Sequence, residues 1–452
     1  MNERRIVVVG GGLAGLTAAL ECADAGVSVT LLESRSRLGG ATFSVSRNGY
    51  WLDNGQHVAL RCCTSYRAFL RRLGVDHLLD VQPRLRIPVL APDGTRADLE
   101  RSASLPAPLH LTATLLRYRH LGLGERLAAC RAALALRSLD PDDPRLDRET
   151  FGSWLRRHGQ SDRAIAGLWN LIALPTLNLS AESASLALAV KVFRTGLLDE
   201  SDACDIAVPT VPLQLLHAEP AAAALAARGA RVETEAAVEA IERDGGELRV
   251  RLRDREEAAD AVIVAVPHDA VAELLPAGVV DPQAIAGLGL SPIVNLHLHY
   301  DRAVLAEPFA AGVGTPVQWL FDRTASSGIG HGQLVSISIS GADGELGLSR
   351  AALRERYVPA LEELLPATRA AELLDFSVTR QPHATFRGAP GTRALRPGTR
   401  TGVDGLYLAG AWTDTGWPAT MEGAVRSGLA AARAVLAETP ARGRRERLER
   451  AA

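Results

Sequence analysis

Three clusters in this chain combine residue types suited to binding a charged ligand or moving a proton. The first is Gly10-x-Gly12-x-x-Gly15, at the end of the apolar run Ile6-Val-Val-Val9. This spacing turns a buried strand tightly into a helix. Gly10 permits the turn, Gly12 lets a pyrophosphate approach the backbone, and Gly15 lets helix pack on strand. The helix N-terminus then presents unpaired N–H groups and a positive dipole end to the phosphates. Glu33 closes the next apolar run, 23 residues past Gly10. A carboxylate there accepts ribose hydroxyls and repels a 2′-phosphate. The second cluster, Asp53-Asn54-Gly55-Gln56-His57, gathers an acid, two amides and an imidazole in one short segment. The third runs from Tyr407-Leu-Ala-Gly410 to Thr420-Met421. A second helix N-terminus begins there, able to aim N–H groups at a carbonyl.

The elements that must hold these clusters read as follows. A strand, the helix Leu16 to Ala25 and a second strand, Val27 to Glu33, form a first βαβ unit. Arg37-Leu-Gly-Gly40 follows, with glycines that let the chain pass close to a ligand. Residues 104–139 and 147–204 have helical patterns, separated by Asp140-Pro-Asp-Asp-Pro144. Ala218 to Gly229 reads as a helix, and an antiparallel pair is expected around Gly245-Gly246. Ala261-Val-Ile-Val-Ala-Val266 has the unbroken apolar character of a buried parallel strand. Pro292 to Tyr300 and Leu334 to Ser340 alternate like strands of a separate antiparallel sheet. Thr420 to Leu436 reads as the last helix.

With 452 residues, 47% hydrophobic and 23% charged, the chain can build two or three packed units. A net charge of −2 gives no support for nucleic-acid binding. Five cysteines without CxxC spacing fit a reducing cytoplasm and suggest no metal site. The first strand starts almost at Met1, leaving no room for a signal peptide ahead of it, and no apolar run is long enough to span a membrane.

Fingerprint, ribose acid, paired glycines and the C-terminal motif together point to FAD. A reduced flavin carries negative charge near its pyrimidine ring, which the helix start at Thr420 and Met421 would stabilise. The combination resembles the flavin amine oxidase and phytoene desaturase superfamily, at both ends of the chain and at the middle strand near Val238. Within it, Leu52-Asp-Asn-Gly-Gln-His57 resembles the signature of the squalene-associated FAD-dependent desaturases, the hydroxysqualene dehydroxylase branch. So do Leu105-Pro-Ala-Pro-Leu109, Val211-Pro-Leu213 with His217-Ala-Glu-Pro220, Ser291-Pro-Ile-Val-Asn295, Gln318-Trp-Leu-Phe-Asp-Arg323 and Thr415-Gly-Trp-Pro-Ala-Thr420. Two positions depart from the family: Ala41 stands where an arginine is usual, and Ala411 where an acid is usual.

The resemblance implies an α/β fold: a doubly wound, Rossmann-like FAD-binding domain with an inserted helical cap and an antiparallel-sheet substrate domain. Residues 1–85, 205–275 and 395–438 are assigned to the FAD-binding domain. Residues 86–204 are assigned to the cap and substrate entry, 276–394 to the substrate domain, and 439–452 to a frayed tail. FAD is expected on Gly10, Gly12, Gly15, Glu33, Arg37, Gly39, Gly40, Val238, Gly410, Thr420 and Met421.

The reaction implied is reduction of hydroxysqualene, a C30 isoprenoid, to squalene in hopanoid or related triterpenoid synthesis. The Asp53–His57 loop is then the catalytic candidate. His57 would donate the proton that helps water leave, Asn54 and Gln56 would orient the hydroxyl, and Asp53 and Asp414 are further acids. Desaturation of a carotenoid-type polyene is the alternative within the superfamily. Amine oxidation is disfavoured, because that branch keeps a lysine near the flavin and the single lysine, Lys191, falls in the cap. From another class comes a flavin-free lipid-binding protein, favoured by Ala41 and Ala411. An upstream hydroxysqualene synthase would supply the substrate. Only one dinucleotide fingerprint is present, so electrons are expected from an external flavin reductant. Residues 102–139 carry five arginines (Arg117, Arg119, Arg126, Arg131 and Arg137) against Glu125 amid many leucines. That pattern suits a cytoplasmic protein lying peripherally on the inner face of the cell membrane.

Overall fold

The computed structural model describes residues 4–244 and 247–438. The 439–452 tail and the Gly245-Gly246 turn lie outside the described residues. The two strands flanking that turn, Val238–Asp244 and Glu247–Leu252, do pair antiparallel.

The fingerprint strand β1 (Arg5–Val9) is flanked by β2 (Ser28–Leu32) and by the strand predicted near residue 261. With β3 (Arg231–Glu233), β4 (Ala261–Val264) and β5 (Leu406–Leu408), they form a five-stranded parallel sheet of order β3-β2-β1-β4-β5. Every side chain of β4 is fully buried, which explains its lack of apolar–polar alternation: the first and last helices cover one face, and the antiparallel strands of residues 238–259 pack on the other. Because the strands are parallel, Gly10, Glu33, Val266 and Gly410 all emerge at one edge. The strand order reverses between β1 and β4, where open α/β sheets bind their ligands.

The first helix, Leu13–Asp24, packs against the last described helix, Met421–Ala437, so segments far apart in sequence close the same domain. Gly428 makes this possible, since a Cβ there would lie 2.2 Å from the Ala14 carbonyl oxygen.

The second sheet has seven strands, in the order Leu373–Thr385, Ser291–Tyr300, Gln333–Ser340, Trp319–Asp322, Phe309–Gly312, Arg86–Leu90 and Arg96–Glu100. All pairings are antiparallel except that between Phe309–Gly312 and Arg86–Leu90. This corrects one expected boundary. Residues 86–100, assigned to the cap, are a hairpin at the edge of the substrate sheet. Ile87, Val89, Ala97 and Leu99 alternate inward around the turn at Gly94. The cap itself is helical, built from Leu123–Arg137, Phe151–Arg157, Asn170–Leu177 and Leu186–Phe193 among others. Its core, including Phe151, Trp154, Trp169 and Phe193, is continuous with Phe309, Trp319 and Phe321 of the sheet.

Candidate active site

The glycine turn shows two kinds of glycine. A Cβ on Gly10 would lie 2.6 Å from the Ala265 carbonyl oxygen, and one on Gly15 would lie 1.9 Å from that of Gly10. Both positions are glycine because protein crowds them. A Cβ on Gly12 would meet nothing closer than Gly40 Cα at 3.7 Å. The fold leaves that face open, which fits a bound pyrophosphate against the backbone. Gly39 donates its N–H to the Gly11 carbonyl at 2.9 Å and bridges Gly12, so the paired glycines lie against the fingerprint.

Glu33 is buried and turns its carboxylate back to the same place. It accepts from the Gly11 N–H at 2.7 Å and the Arg35 N–H at 2.9 Å. The segment leading to Val238 runs alongside, with Ala236 N–H on the Glu33 carbonyl and Glu235 N–H on the Arg35 carbonyl. Arg37 lies 3.4 Å over the Phe43 ring and donates to the Gly40 carbonyl. Burial, then the nearby Arg35, lowers its pKa.

At the other end, Thr420 caps the last helix by accepting from the Gly423 N–H at 3.1 Å. The Met421 and Glu422 N–H groups remain available to an acceptor. Gly410 is held by Ser427 Oγ at 2.8 Å. The loop that follows, where Ala411 replaces the family's acid, is organised by Arg396. Its guanidinium donates to the carbonyls of Ala411, Trp412 and Thr413 and to Thr415 Oγ1. It lies over Phe386, and burial pushes its pKa down to about 10. Nothing in the local sequence flags Arg396 as the organiser of this loop. Asp414 is exposed and accepts from Gly416 N–H, a turn cap only.

The Asp53–His57 loop follows strand Tyr50–Asp53 and is tied to the paired-glycine turn. The Asn54 side chain accepts from Phe43 N–H at 3.0 Å and donates to the Ala41 carbonyl at 2.8 Å. Asn54 is therefore a brace, and its side-chain amide faces the chain and not a substrate. Asp53 is a brace as well. One carboxylate oxygen accepts from Arg323 Nη2 at 2.8 Å, in a pair with both side chains 7% exposed. The other accepts from Ser44 Oγ at 2.6 Å and Leu213 N–H at 3.1 Å. Both expected roles, acid and hydroxyl-orienting amide, are corrected on this geometry: these polar atoms are already engaged by the scaffold.

His57 has its Nδ1 3.1 Å from the Gly55 carbonyl, which favours the Nδ1–H tautomer. Burial lowers its pKa below the ordinary histidine value, and Arg323 adds to that. The Gly55 and Ala41 carbonyls and Asp53 oppose it. The expectation of a histidine poised to donate at neutral pH is corrected to a mostly neutral imidazole. Around it stand buried polar atoms with no protein partner: Gln56 Nε2, Asn295 Oδ1 and His217 Nδ1. Asn295 donates through Nδ2 to the Asn54 carbonyl at 3.1 Å. His217 Nε2 lies 2.7 Å from the Tyr66 hydroxyl, and burial and the neighbouring His57 push its pKa down to about 3. Unmet buried polar atoms are costly unless a ligand or water completes them. Beside the loop is a cavity of about 10 Å³, room for one water, lined by Gln56, His297, Arg323 and Ser336. Asn295, His217 and Arg323 lie within the motifs that carry the family resemblance, but nothing in the local sequence assigns them a role.

Lys191 is also better placed than its cap assignment suggested. Its Nζ is 5.5 Å from the Trp417 ring centroid, in the C-terminal motif.

The sequence profile described as flavin containing amine oxidoreductase matches residues 13–436. The chain is 30% identical to hydroxysqualene dehydroxylase of Sinorhizobium fredii, covering 96% of this chain and 99% of that protein. It is 25% identical to the zeta-carotene desaturase of Zea mays, covering 94% of this chain and 82% of that one. A redesigned putrescine oxidase shares the fold with a TM-score of 0.71 at 22% identity, covering 96% of this chain and 99% of that one.

Proposed function

The chain belongs to the flavin-containing amine oxidoreductase family, and on that premise we propose that it reduces hydroxysqualene to squalene in hopanoid or related triterpenoid synthesis. It is an oxidoreductase with FAD as cofactor. The flavin-free lipid-binding alternative is therefore set aside, and the open face of Gly12 and the Glu33 carboxylate fit that cofactor. Bound and reduced, FAD supplies the hydride that takes the place of the allylic hydroxyl.

The observation that carries the specific reading is the set of unmet polar atoms beside His57, on a loop braced to the paired-glycine turn. They suit one hydroxyl on an otherwise apolar substrate. Gln56 Nε2 donates to that hydroxyl and Asn295 Oδ1 accepts from it. His57, held through Nδ1, carries the proton for the departing water on Nε2 when it is protonated. Asp53 and Arg323 keep the loop in place. Electrons come from an external reductant, and an upstream enzyme of hydroxysqualene-forming type supplies the substrate.

Desaturation of a carotenoid-type polyene, the same cofactor in the oxidising direction, is the second reading. The likeness to zeta-carotene desaturase supports it. Anaerobic incubation of the reduced holoenzyme with hydroxysqualene, with products extracted and identified by mass, separates the two. Stoichiometric squalene is expected. Unchanged hydroxysqualene, with desaturated product when the oxidised enzyme meets a polyene, would replace the first reading by the second.

A further inference from the structure

Helix Leu123–Arg137 is apolar on two opposite sides. Ala129, Ala132 and Leu136 are buried in the cap core. Leu123, Leu127 and Leu134 are 65%, 45% and 56% exposed. At 3.6 residues per turn these three leucines fall within about 40° of one another, on the side away from the core. Arg126 Nη1 donates to the Leu116 carbonyl at 2.9 Å, so the exposed Leu116 joins the same surface. The arginines nearby face little competing charge. Arg117, Arg119 and Arg131 are exposed and lack a carboxylate partner among the described residues, and Glu125 is occupied by Gly122 N–H and Ser161 Oγ. Exposed leucines clustered on one face and rimmed by unpaired cations are costly in water and complementary to an acidic apolar boundary.

We propose that this face docks on an anionic lipid bilayer, with the leucines in the acyl boundary and the arginines among the phosphates. No described helix is long and apolar enough to cross a membrane, so the contact is a surface one. The inference goes beyond the reaction proposed above, since the same surface would be recognised whatever the enzyme turns over.

Flotation of the FAD-loaded protein with phosphatidylcholine vesicles, with and without phosphatidylglycerol, tests it. The wild type floats with the anionic vesicles at low salt, and the bound fraction falls about tenfold as salt is raised. The triple variant Leu123→Ser, Leu127→Ser, Leu134→Ser loses about tenfold in partitioning. It keeps wild-type FAD content, melting temperature and activity on detergent-dispersed substrate. Arg117→Glu, Arg119→Glu, Arg131→Glu loses the preference for anionic lipid. Wild-type protein that stays at the bottom of the low-salt gradient overturns the proposal, as does a leucine variant that floats like wild type. Equal flotation on phosphatidylcholine alone overturns the anionic component. A wild-type dimer that the leucine variant splits into monomers, with neither floating, would make the face a protomer interface instead.

Discussion

The glycine cradle and the Asp53–His57 loop sit side by side, joined through Asn54, yet they are built by opposite rules. The cradle works mainly through its backbone, and its partners are near in sequence: Gly10, Gly12, Gly15, Glu33 and Gly39 all lie in one βαβ unit and the turn that follows it. The loop works through side chains whose partners are remote. Asp53 meets Arg323 at a separation of 270 residues, and the Asn295 side chain reaches the Asn54 backbone carbonyl at 241. A backbone cradle keeps its function wherever the local spacing is kept. A side chain's role depends on what the rest of the fold brings to it.

The sharpest probe of the cradle is a pair of glycine substitutions. Gly12→Val should abolish FAD binding and leave the apoprotein folded, because a Cβ there has its nearest protein neighbour at 3.7 Å. Gly15→Ala should also unsettle the apoprotein, since its Cβ would sit 1.9 Å from the Gly10 carbonyl oxygen. Flavin titration and apoprotein melting read the two effects separately. Equal loss of apoprotein stability in both would mean that Gly12 is crowded by protein after all.

In the loop the expected effect is on stability. Asp53→Ala leaves Arg323 buried without its carboxylate and should cost about 3–5 kcal/mol. Urea denaturation of the holoprotein measures this. A cost below about 1 kcal/mol would mean that the pair is no brace, and would return Asp53 to the list of acids.

Acid should weaken the same region. Burial pushes the pKa of His297 down to about 4 and that of His217 to about 3. The unfolded chain takes up protons near the ordinary value of 6.5 and the folded protein does not. Stability is therefore full above that value and declines as pH falls from it toward the folded values. Between pH 7 and 5, each histidine should account for about 1–2 kcal/mol. The drop in urea midpoint over that range should shrink in His297→Asn. A midpoint independent of pH there would contradict the burial argument.

The smallest effect belongs to the loop ahead of the last helix. Arg396→Met removes the donors that gather the Ala411–Thr415 loop, and should weaken FAD binding about tenfold, the worth of one charged hydrogen bond. Fluorescence titration reads it, and unchanged affinity would leave Arg396 a purely structural residue.

What the sequence made legible follows the same division. The parallel sheet, the glycine turn, the last helix and the main antiparallel strands were readable, because each rests on a local period or on glycine spacing. The hairpin at residues 86–100 was placed inside the cap boundary because its two short strands lie just ahead of the Leu-rich helical pattern that starts at residue 104. The loop's residues were found, but their roles were not. Nothing near Asp53 or Asn54 tells that Arg323, Leu213 and Phe43 occupy their polar atoms. Nothing near His57 tells that burial keeps it neutral. The orphan atoms of Asn295 and His217 exist only once three distant segments converge.

The claim that joins both regions is that the cradle holds a reduced flavin beside a loop in which His57 delivers the proton. Stopped-flow mixing of the anaerobically reduced holoenzyme with hydroxysqualene tests it, read at the oxidised-flavin band with squalene quantified. The account predicts reoxidation matched one-to-one by squalene and faster toward acidic pH as His57 protonates, and slower by about 10²–10⁴-fold in His57→Ala at full FAD content. A flavin that stays reduced in the presence of hydroxysqualene, or a His57→Ala rate equal to wild type, would contradict it.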